Sequence, residues 1–242
     1  MLSKSQVKYI QSLGQKKFRD EEGLFIAEGP KIINELLTET PFLVKTVYGV
    51  KEWIEESRSL PGKAEVIEIN EAELERVSQL STPNQVLALV YKLKEDDIVS
   101  ANSITLVLDT IQDPGNLGTI IRTADWFGVK QIVCSLDSAD RYNPKVIQAT
   151  MGSIARVKMI YTDLATWLKK QNVTIFAAAL EGLDIRKMSK LKEGIIMIGN
   201  ESKGIHPGLM QLAGEQITIP KPGHAESLNA AVATAIILSH IV

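Results

Sequence analysis

Hydrophobic and polar positions divide the first half of the chain into short strand-like and helix-like segments. Apolar runs typical of strands alternate with segments whose apolar residues recur at helical spacing. The strand-like runs cover residues 24–27, 44–50, 66–69 and 86–91, and the helical patterns cover 3–13, 30–37, 51–57 and 71–80. A proline that opens the second helical pattern and Asn70 before the fourth are favoured helix-start residues. The first half is therefore predicted to be a small α/β domain.

The second half has a stronger strand pattern. Six apolar runs lack the alternation of half-exposed strands, and helical patterns separate most of them. These runs cover residues 104–108, 131–136, 156–160, 174–180, 195–198 and 216–219. Because parallel strands covered on both faces show such uninterrupted runs, we predict an α/β domain with a parallel sheet. Its functional loops are expected at the carboxyl ends of the strands.

A linker is predicted between the halves. Residues 92–103 (KLKEDDIVSANS) are charged and then small and polar, a composition that favours a connecting segment. We place a first domain at residues 1–96, the linker at 97–103 and the second domain at 104–242. The 242 residues are enough for one large domain or two modest ones.

The composition of the chain limits which binding partners and which cellular compartment are expected. The 27 basic and 29 acidic side chains leave a net charge of −2, so contact with nucleic acid is expected to be local. The longest apolar stretch is short and rich in Ala and Thr, which argues against a membrane span, and a signal-peptide pattern is missing from the first residues. Since Cys134 is the one cysteine, no disulfide framework is predicted and a cytoplasmic location is expected.

The segment DTIQDPGNLGTIIRTADWFGV (109–129) contains a cation in an unusual place. A Pro-Gly turn leads into a helix whose apolar residues form one stripe. Arg122 lies off this stripe and shares a helix face with Thr119 and Trp126. The helix alone leaves two interpretations open: a solvated arginine paired with Asp125, or an arginine directed into a site.

Two further strand ends carry unusual polar residues. The apolar run 195–198 leads into Gly-Asn-Glu-Ser-Lys-Gly at 199–204, where glycine lets the backbone approach a ligand closely. The spacing matches neither nucleotide-binding glycine fingerprint, so a helix cap with a turn remains as good an interpretation as a site. Before the last helix, Ser227 or Asn229 is either an N-cap or a site residue. That helix, 230–242, is apolar nearly all round, which predicts cover by a second subunit.

Taken together, these motifs resemble those of a known family, the SpoU-type (TrmH-like) RNA 2′-O-ribose methyltransferases of the SPOUT superfamily. The three family motifs are matched in order by Asn116, Gly118 and Ile120 with Arg-Thr-Ala at 122–124, by Gly-Asn-Glu at 199–201, and by Ile-Pro at 219–220 with Ser-Leu-Asn at 227–229. The match covers residues 104–242. Residues 23–37 and 82–90 are similar to the entry pattern and closing strand of the family's ribosomal-protein-like RNA-binding domain. Lys221 departs from the family, which usually has methionine after Ile-Pro.

The resemblance implies an activity, a cofactor and an assembly. It implies methylation of a ribose 2′-hydroxyl by S-adenosylmethionine, with ribosomal RNA favoured over transfer RNA, and a homodimer whose C-terminal domain forms a trefoil knot. The implied catalytic residues are Asn116, Arg122, Glu201, Ser227 and Asn229. The implied cofactor-binding residues are Leu180, Gly199, Asn200, Ile219 and Leu228. A non-catalytic RNA-binding relative of the same fold stays open, while a dehydrogenase is disfavoured because its glycine fingerprint is missing.

The chemistry of methyl transfer explains these residue types. A ribose hydroxyl is a weak acid, so a fixed positive charge beside it stabilises the developing alkoxide. A guanidinium stays protonated at any ordinary pH, and we therefore expect Arg122 to anchor phosphate and stabilise charge, not to act as a base. Glu201 is expected to orient Arg122 or Asn116. Ser227 and Asn229 are suited to hydrogen-bond the phosphate or ribose.

Further predictions concern other polar residues of the chain. Arg141, Tyr142 and Lys145 precede or begin a helix at a strand-end loop and are predicted to contact RNA, with the tyrosine as a stacking ring. The basic run at 16–19 fits RNA contact and a solvated surface equally well. The three histidines are scattered without metal-ligand spacing, so no metal site is predicted. Cys134 is expected to be a core thiol.

Overall fold

A computed structural model describes residues 1–57, 63–94 and 97–242. The chain forms two compact units, Met1–Lys94 with Asp140–Ala155, and Glu95–Ala139 with Arg156–Val242. The sequence pattern places 140–155 in the second domain, whereas this segment packs with the first unit. The predicted domain boundary at residue 96 lies outside the described residues.

Ten α-helices, three short 3-10 helices (Pro41–Leu43, Ser153–Ala155 and Ile185–Lys187) and ten strands are seen in the described ranges. The helices are α1 (Lys4–Ser12), α2 (Lys16–Glu22), α3 (Pro30–Glu39), α4 (Lys51–Glu56), α5 (Glu71–Val77), α6 (Pro114–Trp126), α7 (Pro144–Thr150), α8 (Leu164–Leu168), α9 (Pro207–Met210) and α10 (Ala230–Ile241). The strands are β1 (Leu24–Glu28), β2 (Val44–Gly49), β3 (Glu65–Glu68), β4 (Val86–Tyr91), β5 (Ile104–Leu108), β6 (Gln131–Cys134), β7 (Lys158–Tyr161), β8 (Ile175–Asp184), β9 (Gly194–Ile198) and β10 (Glu215–Thr218).

The first unit is built on a four-stranded sheet of order β1-β4-β2-β3, in which only β2 and β3 of the described strands pair in parallel. Its four predicted strands and four predicted helices are confirmed. Helix α2 was not predicted, and it carries Arg19, which is 2% exposed. The Arg19 guanidinium donates to the carbonyls of Leu13 (3.0 Å) and Gly14 (2.7 Å) and pairs with Asp140 at 2.6 Å. This arginine therefore ties 140–155 to the first unit and is not available to RNA phosphates.

The second unit contains a six-stranded parallel sheet of order β10-β8-β9-β5-β6-β7, which confirms the predicted fold class. Strand β5 lies in the middle and is buried along its whole length. Apolar side chains from β5, β6, β8, β9, α8 and α9 form one core cluster. Helix α10 packs against α6. Because the strands are parallel, the loops after β5, β6, β9 and β10 emerge at the same edge of the sheet.

Strand β8 is longer than its apolar run predicts. It extends to Asp184 because Gly182, with φ +150°, lets β8 approach β10 closely. A Cβ at this position would lie 2.5 Å from the carbonyl oxygen of Gln216, where the register of the β8–β10 pairing shifts. No helix among the described residues is long and apolar enough to cross a membrane.

Candidate functional site

The site is assembled from the loops that follow three strands of the second unit. The loop after β5 leads into α6, the loop after β9 contains residues 199–206, and the segment after β10 leads into α10. Each contains one of the sequence motifs. The carboxyl edge of a parallel sheet is where ligand sites of open α/β folds lie.

A chain of side-chain hydrogen bonds joins the three loops. Asn116 donates from Nδ2 to Oε1 of Glu201, and its Oδ1 accepts from Nδ2 of Asn229 at 2.8 Å. Since a carboxylate only accepts, the contact with Glu201 fixes which end of the Asn116 amide faces each partner. Of the two orientation targets expected for Glu201, the structure selects Asn116.

Asn229 serves the helix and the site with different atoms. Its Oδ1 accepts from the backbone N–H groups of Ala231 (2.9 Å) and Val232 (3.2 Å), so it is the N-cap of α10. Its Nδ2 donates to Asn116. The two interpretations that the sequence leaves open for Asn229 are thus compatible.

Arg122 lies on α6 six residues after Asn116, and its side chain is exposed. The pairing with Asp125 that the sequence offered is wrong: Arg156 binds that carboxylate with Nε at 3.0 Å and Nη2 at 2.8 Å. Within the described ranges, Arg122 makes no hydrogen bond or ion pair, and its charge faces the solvent uncompensated.

The residues expected to border a cofactor are divided between exposed side chains and backbone positions. Leu180 is 75% exposed, and its carbonyl accepts from Oγ1 of Thr218 at 2.9 Å. Leu228 is exposed beside Ser227, whereas Ile219 is half-buried. Residues 220–228 form no backbone–backbone hydrogen bond with any described residue, which leaves their amides and carbonyls open to a ligand.

Gly199 and Asn200 shape the loop after β9. A Cβ on Gly199 would lie 2.3 Å from the backbone of Gly204, so this position has no room for a side chain. The Asn200 side-chain amide donates to the carbonyl of Thr110 at 3.0 Å, and its Oδ1 accepts from the backbone N–H groups of Ser202 and Lys203. The Asn200 side chain is therefore engaged within the protein, and its backbone N–H and carbonyl are paired with Gly204 across the same loop.

The predicted RNA-contacting trio is mostly buried. Tyr142 is 5% exposed and packs its ring 4.9 Å from that of Phe25, so the prediction of an exposed stacking ring is wrong. Arg141 is also buried and lies over the Tyr142 ring. Lys145 is exposed at the start of α7. The burial arises because this segment covers β1 in the first unit.

Sequence reasoning missed a set of polar residues beneath the site. Asp109, at the end of β5, is buried and accepts from the backbone N–H of His206 at 2.7 Å. Asp137, after β6, hydrogen-bonds Ser135 and Thr110, and the Ser135 hydroxyl is the main cause that holds the pKa of Asp137 below its usual range. The sequence signal that could have identified Asp109 and Asp137 is their position directly after the apolar runs 104–108 and 131–136. The described residues contain no group of side chains suited to hold a metal ion.

Comparison with known proteins matches both units to described families. The SpoU rRNA Methylase family matches residues 103–239, and the MRM3-like substrate binding domain matches residues 4–88. The first match contains every residue of the hydrogen-bonded chain and Arg122.

Individual relatives are similar over almost the whole chain. The 23S rRNA (guanosine(2553)-2'-O)-methyltransferase RlmP of Bacillus subtilis (strain 168) is 30% identical over 239 residues, which are 97% of this chain and 95% of that protein. A solved structure of a TrmH-family protein from Porphyromonas gingivalis is 36% identical, with a TM-score of 0.88 and coverage of 99% and 98%. An AdoMet-bound rRNA methyltransferase from Sinorhizobium meliloti is 32% identical, with a TM-score of 0.86 and coverage of 99% and 95%.

Proposed function

The chain belongs to the SpoU rRNA methylase family, and we propose that it transfers a methyl group from S-adenosylmethionine to one ribose 2′-hydroxyl of ribosomal RNA. The observation that carries this proposal is the chain of hydrogen bonds that joins Glu201, Asn116 and Asn229, with the exposed and unpaired Arg122 on the same helix α6 as Asn116. Three separate loops contribute to this arrangement. A relative that only bound RNA could use an exposed arginine, but it would have no need of an amide fixed between two other loops.

The residues at the strand ends fit S-adenosylmethionine. Its adenosine offers a flat apolar ring with hydrogen-bonding edges, and this part of the unit offers the exposed side chains of Leu180 and Leu228 together with the open backbone groups of 220–228. Ile219 and Gly199 complete the border. When bound, the cofactor supplies an electrophilic methyl group, and no metal is needed for its transfer. Lys221 lies in the exposed part of this border.

Arg122 and Asn116 act on the target nucleotide. The guanidinium of Arg122 binds the phosphate next to the target ribose with its planar fork of donors, and it stabilises the negative charge that grows on the 2′-oxygen. Asn116 is held by Glu201 on one side and by Asn229 on the other, so it needs no rearrangement when the ribose arrives. Glu201 acts through Asn116. Ser227, with an exposed hydroxyl, hydrogen-bonds the phosphate or ribose.

The first unit, which includes Lys145, supplies RNA recognition. The match of residues 4–88 to a substrate-binding domain supports this division. The balanced net charge of −2 fits contact at a limited surface better than wrapping of a long duplex. The family's trefoil knot and a cytoplasmic location belong to the same proposal; the lone, buried Cys134 fits a reducing compartment.

The active form is proposed to be a homodimer. Helix α10 is apolar nearly all round, yet Val232 on it is 48% exposed in the single chain. On the adjacent helix α6, Trp126 is 82% exposed. A second copy that covers both side chains would remove this apolar surface from water.

Methylation of ribosomal RNA tests the proposed function directly. The full-length protein and tritiated S-adenosylmethionine are incubated with ribosomal RNA from cells that lack the gene. We expect label at a single ribose, detected as one linkage resistant to alkaline hydrolysis, and no incorporation into RNA from wild-type cells. Label on a base, or none on any RNA despite cofactor binding, would contradict the proposal.

A further inference from the structure

Thr110 has a left-handed backbone although its side chain is β-branched. It lies two residues after the central strand β5, with φ +57°. For a β-branched residue this conformation is a steric outlier. Residues of this kind persist where their surroundings over-determine them, and they concentrate at functional sites. The contacts of Thr110 therefore indicate what the conformation is for.

The backbone of Thr110 is held by side chains from two other loops. Its N–H donates to Oγ of Ser135 at 2.8 Å, in the loop after β6. Its carbonyl accepts from Nδ2 of Asn200 at 3.0 Å, in the loop after β9. Both backbone groups at the turn are thus satisfied by partners far away in the sequence, which fixes the turn from both sides.

The hydroxyl of Thr110 adds a third connection. Its Oγ1 lies 3.0 Å from Oδ1 of Asp109 and 3.2 Å from Oδ2 of Asp137. One hydroxyl proton can serve one of these carboxylates at a time. The second oxygen of Asp109 accepts from the N–H of His206 in the loop after β9. The hydroxyl therefore joins a network that spans the loops after β5, β6 and β9.

We propose that Thr110 is a positioning residue that holds the loop of Asn116 in register with the loop of Glu201. Asn116 follows Thr110 by six residues, and Glu201 directly follows Asn200. The same two loops are thus joined by two hydrogen bonds, one between Thr110 and Asn200 and one between Asn116 and Glu201. The inference rests on the proposed function, in which Asn116 acts on the target ribose. A displacement of about 1 Å at a reacting group can cost roughly 100-fold in rate, so the position of this loop matters for methyl transfer.

Thr110→Val tests this role, since it removes the hydroxyl and preserves the shape and branching of the side chain. We expect the single-turnover methylation rate, at saturating cofactor and with the enzyme in saturating excess over the RNA, to fall by about tenfold or more. The dissociation constant for S-adenosylmethionine should stay within about twofold, because the hydroxyl contacts Asp109 and Asp137 and none of the residues expected to border the cofactor. Thr110→Ser restores the hydroxyl and should recover the rate to within about twofold.

Thr105→Val is the matched control. Thr105 lies on β5, the strand that precedes Thr110, is fully buried, and its hydroxyl accepts from Nε2 of Gln131 at 2.8 Å, away from the site loops. The same chemical change there should lower the melting temperature without slowing methyl transfer. A wild-type rate for Thr110→Val, or an equal loss in Thr105→Val, would overturn the proposal.

A readout that does not need catalysis separates this proposal from the proposed function. The side-chain amide of Asn116 is identified by NMR as the resonance missing from Asn116→Asp. In Thr110→Val we expect it to lose the shift caused by the hydrogen bond to Glu201 and to exchange faster with water. An unchanged resonance overturns the positioning role whatever the rate. If the wild-type protein methylates no RNA, the proposed function fails, and the amide resonance still decides the role of Thr110.

Discussion

Replacement of Arg122 by alanine is expected to slow methyl transfer by about 100-fold or more and to leave the fold intact. The guanidinium has no partner among the described residues and the side chain is exposed, so its loss removes no contact that stabilises α6. Surface substitutions of this kind usually change the free energy of unfolding by no more than about 0.5 kcal/mol. In contrast, loss of one preorganised donor to a developing oxyanion raises the barrier by about 2.7–4 kcal/mol.

Arg122→Lys distinguishes charge from geometry. Lysine keeps one positive charge at a similar reach, but a single ammonium cannot donate in parallel to two phosphate oxygens. We expect a rate between those of the wild type and the alanine variant. Full rescue would show that the charge alone matters, and the phosphate fork would then be wrong.

The assay is single-turnover methylation with tritiated cofactor and with the enzyme in excess over the substrate RNA, accompanied by melting temperatures and calorimetric titration of S-adenosylmethionine. Cofactor affinity should change little in Arg122→Ala, because the residues proposed to border the cofactor lie in β8 and in the loops after β9 and β10. Arg156→Ala is the matched control, since this arginine pairs with Asp125 on the same helix. Its loss should lower the free energy of unfolding by about 1 kcal/mol and leave the methylation rate near wild type.

Two results would refute the reasoning on Arg122. A near wild-type rate for Arg122→Ala would remove the residue from the mechanism. A rate loss that Arg156→Ala reproduces would show that α6 is merely perturbed. Only a slow, stable Arg122→Ala with normal cofactor affinity agrees with a group that acts on the RNA.

Three further outcomes are expected. Glu201→Gln keeps an acceptor for Asn116 but loses the charge, so its single-turnover rate should lie between those of the wild type and Glu201→Ala; equal rates for the two variants would argue against a hydrogen-bonding role. Trp126→Glu should shift the protein from dimer to monomer in sedimentation velocity, because it places a charge in the proposed apolar interface; an unchanged dimer would locate the interface elsewhere. Arg19→Met should lower the free energy of unfolding by about 3 kcal/mol in denaturant titration, because it leaves Asp140 without its buried partner; a stability equal to that of the wild type would contradict the anchoring role.

The strand pattern of the second unit could be predicted because parallel strands buried on both faces produce uninterrupted apolar runs. All six predicted strands are found, with ends that move by a few residues. The largest change is in β8, whose continuation past Leu180 depends on the close approach of Gly182 to β10. That approach is a tertiary event, and the local pattern carries no sign of it.

The residue types of the site were also predictable, whereas their connections were not. The motifs identify Asn116, Glu201 and Asn229 as a set, but the spacing does not say which side chain orients which. The selection of Asn116 by Glu201 follows from where the loops after β5 and β9 meet. Likewise, a threonine after an apolar run gives no indication of a left-handed turn, because the partners of Thr110 come from two other loops.

Two side chains that the sequence suggests for the surface or for RNA contact, Arg19 and Tyr142, are buried by residues far away in the sequence. Arg19 belongs to a basic run that looks solvated, yet its partner Asp140 lies 121 positions away and both pack in the first unit. The Tyr142 ring is covered by Phe25 for the same reason. Division of the chain at the 92–103 linker therefore separates sequence halves and not packed units. A second half excised there would retain 140–155 without β1 and α2, and apolar side chains that the first unit buries would face water. Loss of RNA methylation by such a fragment would report this exposure together with any loss of RNA contacts, so point substitutions in the intact chain are the sounder way to assign the work of each unit.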